Sequence, residues 1–176
     1  DLSVDDPKKN DLYAVGTVAI VKQILRMPGD NMRILVEGKF RAELVDCIQS
    51  EPHLFARVEE IEEPAYNASL PRVQALLRQA HGAYEQFVEL AAKNLQDGLL
   101  QVLSSEDPGF VADFIAQNSS IVYQDKQKIL EQPHPVKRLE LTVKLLAKEL
   151  EILQLENEIS EKVQQNVNKG QRDYYL

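Results

Sequence analysis

Three histidines, His53, His81 and His134, and a single cysteine, Cys47, are the obvious candidates for metal ligation or nucleophilic chemistry in this 176-residue chain. A metal site needs such side chains at short, repeated spacings. Here each histidine stands apart from the others, from Cys47 and from any carboxylate at ligand spacing, and all three read as surface residues. Cys47 lies between Asp46 and Ile48 near an expected strand end and reads as a buried, inert thiol rather than an activated nucleophile. A phosphate cradle needs glycines around a lysine, so that backbone N–H groups can face the anion. The seven glycines form neither GxxxxGK[ST] nor GxGxxG, and no GxSxG nucleophile elbow is present. Asn67-Ala68-Ser69 and Asn118-Ser119-Ser120 match glycosylation acceptors, but both fall at expected helix boundaries, where Asn and Ser act as caps. Carboxylates are too numerous for any pair to stand out as acid and base. The residues offer surfaces rather than a reaction.

Two kinds of periodicity organise those surfaces. Val15 to Met27 is rich in β-branched residues and alternates from Ile20 onward, which predicts a strand. Pro28-Gly29-Asp30-Asn31 is turn chemistry, and Met32 to Glu37 returns as the hairpin partner. Gly38 sits inside the continuing pattern Lys39 to Val45, where it predicts a bulge or tight bend, and Leu54 to Ile61 fits a further strand. Four short strands with glycine bends imply a small, curved sheet or partial barrel. Glu59-Glu60-Ile61-Glu62-Glu63-Pro64 closes this region as a solvated edge and linker.

Beyond it the period becomes helical. Val73, Leu76, Leu77, Ala80, Tyr84, Phe87, Val88, Ala91, Leu95, Leu99 and Val102 form one wide stripe, predicting one long helix with Ser69 as N-cap and Pro71 in its first turn. Ser104 to Gly109 stops it. Asp107-Pro108 opens a short helix that ends at Asn118-Ser119-Ser120, and another fits Val122 to Gln132. From Val136 to Leu176 there is no proline and only Gly170 among the glycines, so a helix of about 60 Å follows. Leu139, Val143, Leu146, Leu150 and Leu153 make a coiled-coil-like seam, after which Leu155, Ile159, Val163 and Val167 run in fours and drift to another face.

Hydrophobic residues are 44% and charged residues 27%, and the net charge is −8, values that suit a water-soluble globular chain able to build a core without staples. Residues 1–63 hold eight basic and thirteen acidic side chains, a balance of −5, and residues 64–176 carry −3. Neither part is a basic nucleic-acid footprint. A lone cysteine favours a reducing compartment, and no apolar run reaches the roughly 20 residues of a membrane span. The start has no initiator Met or signal region and Tyr174-Tyr175-Leu176 closes an unfinished helix, so the chain reads as a piece of a longer protein.

Asp11 to Ala19 (DLYAVGTVA), with Ile24-Leu25 and then Arg33 to Ala42 (RILVEGKFRA), resembles the amino-terminal domain of the Lon ATP-dependent proteases, whose strand pattern VGT-x-A leads through a turn to LVEG-x-x-R-A. Glu149 to Leu153 followed by Lys169 to Leu176 (KGQRDYYL) is similar to that family's helix ending in K-x-QREYYL, with Asp173 in place of the usual Glu and Gly170 within the helix. The resemblance spans the whole chain, loosely between Leu70 and Gln132. It implies an α+β fold: a PUA-like sheet subdomain over 1–63 lacking its first strands, a linker at 64–68, a helical bundle over 69–135, and a connecting helix over 136–176.

By the same resemblance the region is non-catalytic. It would bind unfolded or damaged protein, assist assembly of a homohexamer and deliver substrates to an ATPase and Ser-Lys protease core in the cytoplasm. ATP and Mg²⁺ are then cofactors of the longer protein. A protein-interaction module without protease activity is the alternative. Hairpin-tip residues Leu25, Met27 and Met32 are the expected substrate contacts, since flexible methionines suit promiscuous surfaces. Ile159, Val163, Val167 and Tyr174 are the expected intersubunit or interdomain seam.

Overall fold

The computed structural model describes residues 7–29, 31–49, 51–91 and 96–174, with side chains at 96, 97 and beyond 167 excepted. The chain forms two compact units, Asp1–Pro64 and Ala65–Leu176.

The first unit is an antiparallel sheet of three strands, β1 (Val15–Arg26), β2 (Met32–Gln49) and β3 (Phe55–Glu60), in the order β1-β2-β3. A short 3-10 turn, Lys9–Asp11, precedes it. The expected pair of strands on either side of Gly38 is one 18-residue strand, β2. Gly38 bends that strand instead of dividing it. Val18 pairs with Phe40 but Ala19 with Gly38, leaving Lys39 as the extra residue of a bulge. A side chain at Gly38 would bring its Cβ to 3.2 Å from Thr17 Cγ2, so the close strand approach favours glycine. Further register shifts fall at Lys22 on β1 and at Val45 and Ile48 on β2. Each adds local twist, which gives a short sheet its curvature. The β1–β2 turn uses Gly29 at φ +82, and Met27 N–H donates to the Asn31 carbonyl at 2.8 Å. Among the described residues of this unit, Ala42 is the sole buried apolar side chain.

The second unit consists of α1 (Pro71–Leu90), α2 (Gln96–Leu103), α3 (Pro108–Asn118), α4 (Tyr123–Leu130) and α5 (Pro135–Tyr174). The single helix expected over 69–102 is thus two, α1 and α2. Leu70 takes the N-cap position of α1, and Ser69 instead donates its N–H to Asn67 Oδ1, so the anticipated serine cap is not used. Pro71 opens the helix, where its missing N–H costs nothing. Asp107 caps α3 as the sequence suggests, its Oδ1 accepting from the Gly109 and Phe110 amides.

The core is built from one face of each helix. Val73, Leu77, Ala80, Tyr84 and Phe87 of α1 meet Val111, Ala112 and Ile115 of α3 and Leu139, Val143, Leu146 and Leu150 of α5, with Val102 of α2 completing it. A smaller cluster joins Ala116, Ile121, Ile129 and Leu145. Arg138 is 1% exposed at the start of α5, and its Nη1 donates to the Gln132 and Pro133 carbonyls while Nε faces Asp113 Oδ1 at 3.3 Å. Gly109 makes room for it: a Cβ there would stand 2.7 Å from Arg138 Nη2. The guanidinium thus satisfies two carbonyls of the turn that leads into α5.

Candidate protein-binding surface on the β ribbon

The distal half of the β1–β2 hairpin is exposed on both faces, an arrangement that ordinary core-forming strands avoid. Its register separates the two. Val21 stands opposite Val36, Ile24 opposite Ile34 and Arg26 opposite Met32, and paired residues share a face. One side of the ribbon therefore carries Val21, Ile24, Met32, Ile34 and Val36, all exposed, with Ile24 at 57% and Met32 at 64%. The other side pairs Ile20 with Glu37, Gln23 with Leu35 and Leu25 with Arg33, alternating apolar with polar.

The bulge at Lys22 brings its ammonium group to Glu37, which Lys39 also contacts. These two cations, Lys22 foremost, hold the Glu37 carboxyl below the usual carboxylate range.

Of the three expected contact residues, Met32 alone lies on the aliphatic face. Leu25 pairs with Arg33 on the mixed face, and Met27 is an exposed turn residue. Val21, Ile24, Ile34 and Val36 complete the surface. Alternation in the sequence marks them as a strand face, but which partner residues share that face depends on the Lys22 bulge, which has no sequence signature. On α5, Ile159, Val163 and Val167 are half exposed or more, and Tyr174 is helical in its backbone, with its side chain outside the described residues.

The chemistry-bearing residues stay dispersed. His53 is exposed, but His81 and His134 are partly buried, contrary to the surface reading. Burial pushes the His81 imidazole below its ordinary value of 6.5, partly offset by the Ser105 and Val102 backbone and by Glu85. Cys47 is half-buried and free, not fully buried, and edges a cavity of about 300 Å³ with Lys8, Lys9 and Leu54. Among the described residues, no group of three or more His, Cys, Asp and Glu side chains could hold a metal ion, and no helix is long and apolar enough to cross a membrane.

The chain is thus an α+β module that pairs a curved three-stranded sheet carrying an exposed apolar face with a five-helix unit. The family described as the ATP-dependent protease La (LON) substrate-binding domain matches residues 1–148. Lon protease of Syntrophomonas wolfei is 40% identical over all 176 residues, and Lon protease of Heliobacterium modesticaldum is 38% identical over the same length. The chain belongs to the LON substrate-binding domain family. It spans about a fifth of the length of these relatives, 21% of each. The solved N-terminal domain of the Mycobacterium avium complex Lon protease shares the fold, with a TM-score of 0.64 at 22% identity over 80% of this chain and 74% of that one. The Lon N-terminal domain protein from Xanthomonas campestris aligns with a TM-score of 0.52 at 15% identity, covering 80% of this chain and 71% of its own.

Proposed function

We propose that this chain is the non-catalytic N-terminal region of an ATP-dependent Lon-type serine protease of the cytoplasm, and that the aliphatic face of the β1–β2 ribbon captures unfolded or damaged protein. The observation that carries this reading is that face itself: five aliphatic or thioether side chains stay in water on a hairpin whose fold spends none of them on a core. An unfolded segment offers complementary apolar area, and each captured side chain that leaves water contributes roughly 1–2 kcal/mol before ordering costs. Single contacts are therefore weak, and copies of the ribbon in a homohexamer would raise effective concentration.

In the same reading the outer part of α5 assists hexamer assembly through Ile159, Val163, Val167 and Tyr174 and leads toward the ATPase–protease core. ATP and Mg²⁺ would act there, outside this chain, whose glycines form no phosphate loop.

The test is affinity for a permanently unfolded, fluorescently labelled protein. Ile24→Ser plus Met32→Ser, both at exposed positions, is expected to weaken binding roughly tenfold while leaving thermal unfolding unchanged. Unaltered affinity in the folded variant would remove the ribbon from substrate capture.

A further inference from the structure

The ribbon's aliphatic face ends on a charge. Arg26 stands opposite Met32 at the hairpin tip, on the same side as Ile24 and Ile34, and is exposed. Among the described residues it has no ion-pair partner, whereas the ribbon's lysines Lys22 and Lys39 are both held by Glu37. Arg33, the other guanidinium at the tip, also lacks a partner but pairs with Leu25 on the opposite, mixed face.

We infer that the aliphatic face seats an extended apolar segment carrying a carboxylate at one end, with its alternate side chains on Val21, Ile24 and Ile34 and its carboxylate on Arg26. This rests on the reading of the ribbon as a capture surface and names the chemistry that surface prefers. Three features favour such a segment over a neutral or basic one. The face is two residues wide, which suits a chain in extended conformation, whose side chains repeat every second residue. Among the described residues its single charge is a guanidinium, which binds carboxylate through a planar, bidentate fork. That guanidinium also lies at one end of the apolar row rather than within it, so the pair forms in water and sets direction and register without a desolvation cost. A second copy of this chain is a poorer occupant, because the same face on the partner would set Arg26 toward a surface that bears no carboxylate among the described residues.

The experiment uses three labelled peptides sharing one alternating Val/Thr tract and ending in Asp-Glu, Gln-Gln or Lys-Lys. Fluorescence anisotropy is expected to show the acidic peptide binding roughly two- to fivefold tighter than the neutral one, the basic peptide weakest, and the difference shrinking at high salt. Arg26→Gln should abolish the preference, and Arg33→Gln, with the same change in net charge, should leave it intact. Equal binding of the three peptides, survival of the preference in Arg26→Gln, or equal loss in both variants would overturn the inference. If Ile24→Ser plus Met32→Ser abolishes binding of all three peptides while their affinities for the unaltered chain are equal, the inference fails and the capture surface stands. If that double variant binds all three as the unaltered chain does, the capture surface itself falls. Concentration-dependent dimerisation lost in the double variant would assign the face to a second copy and overturn the inference as well.

Discussion

Tyr84 is fully buried between Phe87 and Phe114, stacked on the first at 6.0 Å and edge-on to the second at 6.1 Å, and its hydroxyl has no hydrogen-bond partner among the described residues. Burying an unsatisfied hydroxyl costs more than the ring contacts require, so Tyr84→Phe is expected to stabilise the helical unit by about 1 kcal/mol in urea unfolding. Gly109 makes the opposite case. Its missing Cβ leaves space that the pinned Arg138 guanidinium occupies, and Gly109→Ala should destabilise by about 1–3 kcal/mol through overpacking in the same measurement.

His81 supplies the pH dependence. Its pKa in the fold is lowered from 6.5 by burial, so the unfolded chain takes up the proton more readily. Its contribution is complete above the unfolded value and falls away as pH drops below about 6.5 toward the folded value. Unfolding midpoints measured between pH 7.5 and 5 should decline, and His81→Gln should flatten part of that slope.

At the scale of elements, the sequence reading succeeded where a pattern and a local signal coincide. Asp107-Pro108 starts α3 because an aspartate cap and a proline at the first helical position act within three residues. The hairpin turn is legible because Gly29 supplies positive φ after Pro28. Errors fell where tertiary context decides. Gly38 predicts a bulge or tight bend, and the shift between the Val18–Phe40 and Ala19–Gly38 pairs makes it a bulge, inside one strand rather than between the expected two. The stripe from Val73 to Val102 keeps helical period through residues 92–95, so periodicity alone does not reveal that α1 ends at Leu90.

Helix α5 shows both cases. Its inner half buries Leu139, Val143, Leu146 and Leu150, as their alternating spacing indicates. At 100° per residue, Ile159 lies roughly 200° around the helix from Leu139, on the face away from that core. Val163 and Val167 extend this outer stripe, and all three are exposed. If it forms the proposed seam, Val163→Asp plus Val167→Asp will shift sedimentation equilibrium of the chain toward monomer without lowering the unfolding temperature. An unchanged distribution would separate the outer stripe from assembly.

For the whole molecule, the two units divide their work by how they use apolar residues. The helical unit buries one face of its helices in two apolar clusters and leaves the outer stripe of α5 exposed, while the sheet unit leaves most of its own apolar residues in water. That contrast was hidden in the sequence, because both parts have similar composition and the strand pattern reads the same whether a face meets a core or solvent. Family membership was legible from the two end motifs, and the location of the exposed face was not. The central claim is that unfolded polypeptide binds on the ribbon. Amide chemical-shift mapping of the chain with an unfolded protein tests it most directly. Perturbations concentrated at residues 20–26 and 32–36 of β1 and β2 are the predicted result; perturbations confined to α1–α4, with the ribbon unmoved, would contradict it.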